Sequence, residues 1–209
     1  MMVRLADPMG NDLQTMLAAA RDGDGSATGK LLERYSRYLT LLARLQIGRR
    51  LRGKVDPADI VQETFLEATR QMHNFRGNSE GELLAWLRRI LAGQMALTLR
   101  RYLGTRGRDV KLERELAVQL DQSSVMLDRG LVASYSTPSQ HAAKREQSVL
   151  LAEALGRLPE DYREVIILRH LEGMPFAEVA EAMNRSQDSV QKLWVRALAN
   201  LRHLLGEGS

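Results

Sequence analysis

The chain has 209 residues, is 44% hydrophobic and 27% charged, and carries a net charge of +4, a folded-protein composition with room for one large domain or two small ones. It contains no cysteine, which excludes a disulfide framework, a thiol nucleophile and a zinc knuckle. Aromatic residues make up only 5%, so the core must be built from Leu, Ile, Val, Met and Ala, a palette that favours helices over sheets; with no apolar run approaching about 18 residues and no leader-like opening, the expected location is cytoplasmic.

Residues 1–11 combine Pro, Gly and mixed polar groups and are expected to be disordered. A helix is predicted from about Asp12 to Asp22, with Leu13, Met16, Leu17 and Ala20 on one face and Gly23, Gly25 and Ser26 breaking it. One long helix is then predicted from Ala27 to Leu51, where Leu31, Leu32, Tyr35, Leu39, Leu42 and Leu45 form a broad apolar stripe. Its end and the turn beyond it carry Arg44, Arg49, Arg50, Arg52 and Lys54 with no acid between them.

Val55 to Met72 reads as a short helix with two faces. Asp56 is placed to cap it, Pro57 takes the first helical position, and Asp59 adds negative charge near the positive end of the dipole. Val61, Phe65, Ala68 and Met72 form an apolar stripe, while Asp59, Gln62, Glu63 and Glu67 lie mostly on the other side. Such an acidic face is ordinarily only solvated. Here the flanking segments are heavily basic, which gives it a different weight.

A polar loop follows, Asn74-Phe75-Arg76-Gly77-Asn78-Ser79-Glu80-Gly81, and Ser79 with Glu82 forms a predicted capping box. The next helix, Glu82 to about Tyr102, is expected to bury Leu83, Leu84, Leu87, Ile90, Leu91 and Leu97. From Arg88 to Arg108 there are six arginines (Arg88, Arg89, Arg100, Arg101, Arg106 and Arg108) and no carboxylate, a run that favours an anionic partner over a purely structural face. Residues 105–138 are expected to be a flexible linker: Asp109 to Leu120 is weakly amphipathic through Val110, Leu116 and Leu120, and Asp121 to Ser139 has no clean period.

From Pro138 the chain is helical again. Helices are predicted over Ser139–Leu155, from Pro159 with Tyr162, Val165, Ile166, Ile167 and Leu168 inward, over Pro175–Met183, and from Gln187 to about Leu205. The last two, joined by Asn184-Arg185, have the dimensions of a helix-turn-helix, with the small Ala180 where the helices cross. The second helix opens with Ser186, Gln187, Asp188 and Ser189, the end that enters a major groove, and Gln191 and Lys192 point with them. Arg185 and Arg196 are placed for phosphates. Trp194 shares a face with Leu193, Ala197 and Leu201 and is expected in the core.

Two motifs now stand in order: DPADIVQETFLEA at 56–68 with FRGN and AWLRRILAGQMALTLRR after it, and LGRLPEDYREVIILRHLEGMPFAEVAEAMNRSQDSVQKLWVRALANLR at 155–202. Together they resemble the bacterial RNA polymerase sigma factors of the compact extracytoplasmic-function group. The resemblance implies an all-α fold of two small helical domains: a sigma-two-like bundle over 12–104 and a sigma-four-like helix-turn-helix domain over 139–209. It implies that Asp59, Gln62 and Glu63, with Asp56 and Glu67 at the margins, contact the polymerase beta-prime subunit, with the beta subunit part of the same partner. It implies that Asn74, Phe75, Arg76 and Asn78 hold an extruded base of the minus-ten element beside Arg88, Arg89, Arg100 and Arg101. It implies that Arg185, Ser186, Gln187, Asp188, Ser189, Gln191, Lys192 and Arg196 read the minus-thirty-five element. An anti-sigma factor is a further partner that the resemblance allows.

The recognition helix departs from the family pattern at Ser189, Gln191, Lys192 and Leu193, and these exchanged positions are those expected to face DNA, so no base preference is carried over. The alternative is a stand-alone helix-turn-helix regulator with an N-terminal dimerisation or ligand domain, which would have no use for an acidic docking helix. An enzyme is not expected: His73, His141, His170 and His203 are scattered without ligand or triad spacing. Asp59 and Glu63 share a helix face, but no further ligand converges on them in sequence, so neither a metal nor a cofactor is expected.

Overall fold

The computed structural model describes residues 8–51, 54–103, 110–130 and 144–206, with side-chain environments over 12–47, 54–102, 110–127 and 147–206. Among the described residues the elements are helices and no strand occurs, as expected from the composition. The chain divides into two compact units, Met1–Gln122 and Ser123–Ser209. The side chains of Arg49, Arg50, Arg52, Arg106, Arg108 and His141, together with residues 1–7, lie outside the described residues.

In the first unit, α1 (Pro8–Arg21) begins inside the stretch expected to be disordered, ahead of the start expected at Asp12, and buries Leu13, Leu17 and Ala20 against α2 (Gly25–Glu33). Gly23 supplies the left-handed turn between them at φ 94°, and Asp24 caps α2 by accepting from the backbone N–H groups of Ser26 and Ala27 at 2.8 and 3.1 Å. The helix expected as continuous from Ala27 to Leu51 is two helices, α2 and α3 (Ser36–Leu51), with a turn at Arg34 and Tyr35. The break carries neither Gly nor Pro. It rests on a tertiary tie: the fully buried Tyr35 donates its hydroxyl to Glu80 Oε1 at 2.9 Å.

The helix α4 (Pro57–Gln71) starts as predicted, with the Asp56 carboxylate accepting from the Ala58 N–H at 2.8 Å and Pro57 at its first position. Its inward face is Ile60, Val61, Thr64 and Ala68, continued by Met72, while Phe65 is only half-buried. Thr64 can be buried because its hydroxyl donates to the Ile60 carbonyl at 2.8 Å. This face packs on α3 and on α5 (Glu80–Leu103). Leu83, Leu84, Leu87 and Leu91 of α5 are wholly buried, each contributing about 2 kcal/mol by removal from water. Leu97, expected in the core, is 41% exposed; it falls off the 87, 91, 95 row that Met95 continues into the core.

The helix α6 (Val110–Gly130) runs past Leu120 into the stretch expected to be a flexible linker. Leu116, Leu120, Ser124 and Leu127 are buried, a single stripe at helical spacing that was hidden because a serine occupies one of its positions. Its first half is anchored in the first unit: Gln46 Nε2 donates to the Gln119 carbonyl at 3.4 Å, and Arg88 Nε donates to Asp121 at 2.6 Å. The remainder of the expected linker, 131–138, lies outside the described residues.

In the second unit, α7 (Lys144–Arg157), α8 (Glu160–Ile166), α9 (Phe176–Ala182) and α10 (Gln187–Gly206) form a small bundle, with α10 packed on the other three. Four consecutive residues, Val165 to Leu168, are buried, which one face of a regular α-helix cannot accommodate. The helix answers by widening into a π turn over Ile167–Leu171, closed by the Glu172 N–H on the Ile167 carbonyl at 2.9 Å. Between α9 and α10, Asn184 adopts φ 52°, the left-handed conformation that Asn tolerates best after Gly.

Candidate functional site

The acidic face of α4 divides into two chemical parts. Asp59, Gln62 and Glu63 are exposed, lie next to one another on the first two turns, and have no side-chain partner among the described residues. They border a cleft of about 450 Å³ floored by Ile60 and closed by Thr98, Arg101 and Tyr102 of α5. Glu67, one turn further, is engaged: it accepts from Gln71 Nε2 at 2.5 Å and Arg70 Nη1 at 3.4 Å. The hydrogen bond from Gln71 and the Arg70 charge hold its carboxyl below the ordinary range. Asp56 commits one carboxylate oxygen to the cap.

The loop after α4 is held from several sides. A 3₁₀ turn over Met72–Asn74 leads into it. Phe75 is 6% exposed, with its ring centroid 4.9 Å from that of Trp86 and the Arg21 guanidinium 5.2 Å from its face. The expectation that Phe75 stacks on a base is therefore corrected: in this structure the ring supports the loop from beneath and offers no open face. Gly77 lies directly on it; a Cβ there would come within 2.5 Å of Phe75 Cζ and 2.8 Å of Glu82 Cβ. Glu82 accepts from the Asn78 and Ser79 N–H groups and from the Ser79 hydroxyl at 2.9, 3.1 and 2.8 Å, completing the predicted capping box. These bonds, the Ser79 hydroxyl first, hold the Glu82 carboxyl below its ordinary range. Asn74, Arg76 and Asn78 remain exposed, and Arg76 Nη1 donates to the His73 carbonyl at 3.2 Å.

The arginines of α5 do not form one surface. Arg88 is turned inward, its side chain 15% exposed, donating to Asp121 at 2.6 Å and to the Tyr38 hydroxyl at 3.0 Å. Its expected DNA contact is thus occupied internally, because α6 covers it. Arg89 and Arg100 line a groove of about 700 Å³ together with Glu67, Gln71, Trp86 and Gln94. Arg101 lines the cleft beside the acidic face instead.

In the second unit, Ser186 caps α10 by accepting from the Ser189 N–H at 3.3 Å. Gln187, Asp188, Gln191, Lys192 and Arg196 are exposed and Ser189 is half-buried. Two of the expected DNA-facing cations already have anionic partners: Arg185 pairs with Asp161, and Lys192 Nζ donates to Asp188 at 2.7 Å. Trp194 sits at the edge of the core, in edge contact with Phe176 and donating from Nε1 to His170 Nε2 at 2.8 Å.

Two family models match the chain over these elements. Residues 32–103 match the sigma-70 region 2 family and residues 148–201 match sigma-70, region 4. The chain belongs to the sigma-70 family, in its extracytoplasmic-function group. It is 29% identical over 184 residues to the ECF RNA polymerase sigma-E factor of Haemophilus influenzae, with 88% of this chain and 90% of the relative covered. It is 28% identical to the factor of that name in Escherichia coli (strain K12), over 88% of this chain and 89% of the relative. Among solved structures, CnrH in complex with the cytosolic domain of CnrY aligns over 95% of this chain and 99% of that chain at 26% identity and a TM-score of 0.34. As a sigma factor the protein binds core RNA polymerase and promoter DNA and directs promoter-specific initiation of transcription, which favours this reading over a stand-alone regulator. No helix among the described residues is long and apolar enough to cross a membrane.

Sequence reasoning missed three residues that shape the site. Arg21 reaches the loop from α1, Tyr38 holds Arg88, and Glu80 anchors Tyr35. Each acts across 45 or more residues of chain, and no local pattern marks a partner at such a distance.

Proposed function

We propose that the sigma factor divides its work among three surfaces. Asp59, Gln62 and Glu63 dock on a basic surface of core polymerase. Asn74, Arg76 and Asn78 meet an extruded non-template base of the minus-ten element, with Arg89 and Arg100 against the adjacent backbone. The start of α10 reads the minus-thirty-five element through Gln187, Ser189 and Gln191, with Arg185, Lys192 and Arg196 on phosphates. The protein contributes no covalent chemistry and works in the cytoplasm, where polymerase and promoter DNA are found.

The observation that carries this reading is the contrast along α4. Three hydrogen-bond acceptors stand exposed and unpartnered among the described residues, while Glu67 on the same helix is tied to its neighbours. Acceptors left free in a row suit a cationic partner. The loop supports the second assignment because its backbone is clamped while Asn74, Arg76 and Asn78 stay exposed, so little ordering remains to be done when a base arrives. Two modest DNA contacts gain strength when polymerase holds both at fixed spacing.

The deciding experiment is pull-down of core polymerase by variants of the full chain. Replacing Asp59, Gln62 and Glu63 together by Ala should weaken capture about tenfold or more with the melting temperature unchanged. Glu67→Ala should weaken it less than any one of those three alone. Undiminished capture by the triple variant would remove the docking assignment.

A further inference from the structure

We propose that Arg21, at the end of α1, is a positioning residue that determines which hydrogen-bonding group Asn78 presents to promoter DNA. The proposal rests on the reading of the 74–80 loop as the minus-ten surface and deepens it.

The geometry is a three-point clamp. One terminal nitrogen of Arg21 donates to the side-chain oxygen of Asn78 at 3.3 Å, the other donates to the Gly77 carbonyl, and the guanidinium plane covers the Phe75 ring at 5.2 Å. Its remaining Nε–H is buried and meets no acceptor among the described residues. A buried unpaired donor is costly, so the pose depends on the bonds that the other two nitrogens make. Gly77 lets the loop close on the Phe75 ring that Arg21 covers, because any Cβ there would collide with Phe75 and Glu82.

The consequence for Asn78 follows from the chemistry of the two groups. A guanidinium carries donors only. The Asn78 atom facing it must therefore be the amide oxygen, and the NH₂ is left pointing away. The Asn78 backbone N–H is already engaged by Glu82 at 2.9 Å. The clamped loop thus offers a donor at this position, and its partner on an extruded base must be a carbonyl or a ring nitrogen. Without Arg21 the amide is free to turn over, and it can then accept from an exocyclic amino group equally well. Arg21 would confer base selectivity without touching DNA.

The test uses holoenzyme reconstituted with the full chain and promoter fragments randomised across the minus-ten element, with open-complex formation as the readout for each base. Arg21→Met should flatten base discrimination at one position by about three- to tenfold, the size of one net hydrogen bond, while core capture stays unchanged. Asn78→Asp is the sharper variant: it keeps an oxygen for Arg21 but presents a second oxygen outward, so preference at that position should move toward bases offering an amino group. That exchange identifies Asn78 as the base contact, since an ionised Asp can only accept, and the flattening in Arg21→Met assigns its orientation to Arg21; the exchange without the flattening would overturn the proposal. Asn74→Ala and Arg76→Ala report on the underlying reading. If they impair opening while the Arg21 and Asn78 variants keep wild-type preference, the loop meets DNA but Arg21 does not set its selectivity, and the proposal fails. If all these variants open every promoter as wild type does, the assignment of the loop to the minus-ten element falls and takes the proposal with it.

Discussion

Arg88 Nε donates to Asp121 Oδ1 at 2.6 Å across 33 residues of chain, joining the middle of α5 to α6. The pair is asymmetric: the Arg88 side chain is 15% exposed and that of Asp121 61%. Arg88 also donates to the buried Tyr38 at 3.0 Å. Removing the aspartate therefore leaves the mostly buried Arg88 charge without its counter-ion. Asp121→Ala should destabilise the first unit by about 1–3 kcal/mol, because that charge is then left with the Tyr38 hydroxyl and solvent in place of a carboxylate. Arg88→Met should cost less, since Met keeps the apolar stem, water solvates the exposed Asp121, and the Tyr38 hydroxyl loses one partner. Urea denaturation of the two variants checks the order. If Asp121→Ala leaves the midpoint unchanged, α6 is held by its apolar stripe alone.

Gly77 is the second point at which one atom decides the outcome. Its missing Cβ leaves room for Phe75 Cζ and Glu82 Cβ, which would lie 2.5 and 2.8 Å away. Phe75 is wedged against Trp86 and under Arg21, so the ring has little freedom to yield. Gly77→Ala should destabilise the first unit by about 1–3 kcal/mol through overpacking. Promoter opening by the holoenzyme should fall by more than core capture does, because the strain sits in the loop and not on the Asp59 face. Equal losses in both would mean that the whole unit has unfolded.

Most of the helices were legible in the sequence because they carry strong local signals. The start of α4 is announced by Asp56 and Pro57, and the start of α5 by the Ser79–Glu82 capping box. The two places where the expectation failed lack such signals. The break at Tyr35 has no Gly or Pro and depends on Glu80, 45 residues on. The second half of α6 places Ser124 in its buried stripe, and a polar residue there dissolves the apparent period. The site was legible as residue types and not as states. Nothing local distinguishes the inward Arg88 from the outward Arg89, or the buried Phe75 from an exposed stacking ring, because each is decided by residues far away in the chain: Asp121, Tyr38 and Arg21.

The second unit should be sensitive to acid through His170. Its Nε2 accepts from Trp194 Nε1 at 2.8 Å, so the imidazole must be neutral at that atom. Burial, and then the charge of Arg169, hold its pKa below the ordinary 6.5. A base with a depressed folded pKa binds its proton more readily when unfolded. The stabilisation is therefore complete above about pH 6.5 and is lost progressively as the pH falls from there through the folded pKa. The Trp194 indole N–H resonance, followed by NMR from about pH 7.5 to 5, should shift with that titration, and the melting temperature of the second unit should fall over the same range. His170→Gln keeps an acceptor for the indole without a titrating ring, and should flatten this dependence. An unchanged slope in that variant would assign the acid sensitivity to other groups.

At the recognition helix the electrostatics predict tighter binding on mutation. Lys192 and Asp188 pair at 2.7 Å, and both side chains are mostly exposed, at 67% and 73%. An exposed pair one helical turn apart is worth only about 0.3–0.5 kcal/mol, so Lys192 can leave Asp188 for a phosphate at small cost. The aspartate nevertheless remains close to the DNA, where its charge opposes binding. Asp188→Asn should therefore tighten holoenzyme binding to promoter fragments at low salt. It should also steepen the slope of log K against log salt, by less than the roughly 0.9 of one whole phosphate contact, because one negative charge fewer faces the DNA. The tightening should be similar for promoters that differ in the minus-thirty-five element, because phosphates carry no sequence. If Asp188 instead accepts from a cytosine amino group, the variant will lose affinity, and only for promoters with cytosine at one position. The two outcomes have opposite signs, and a salt titration on a pair of promoters separates a charge that merely restrains Lys192 from one that reads a base.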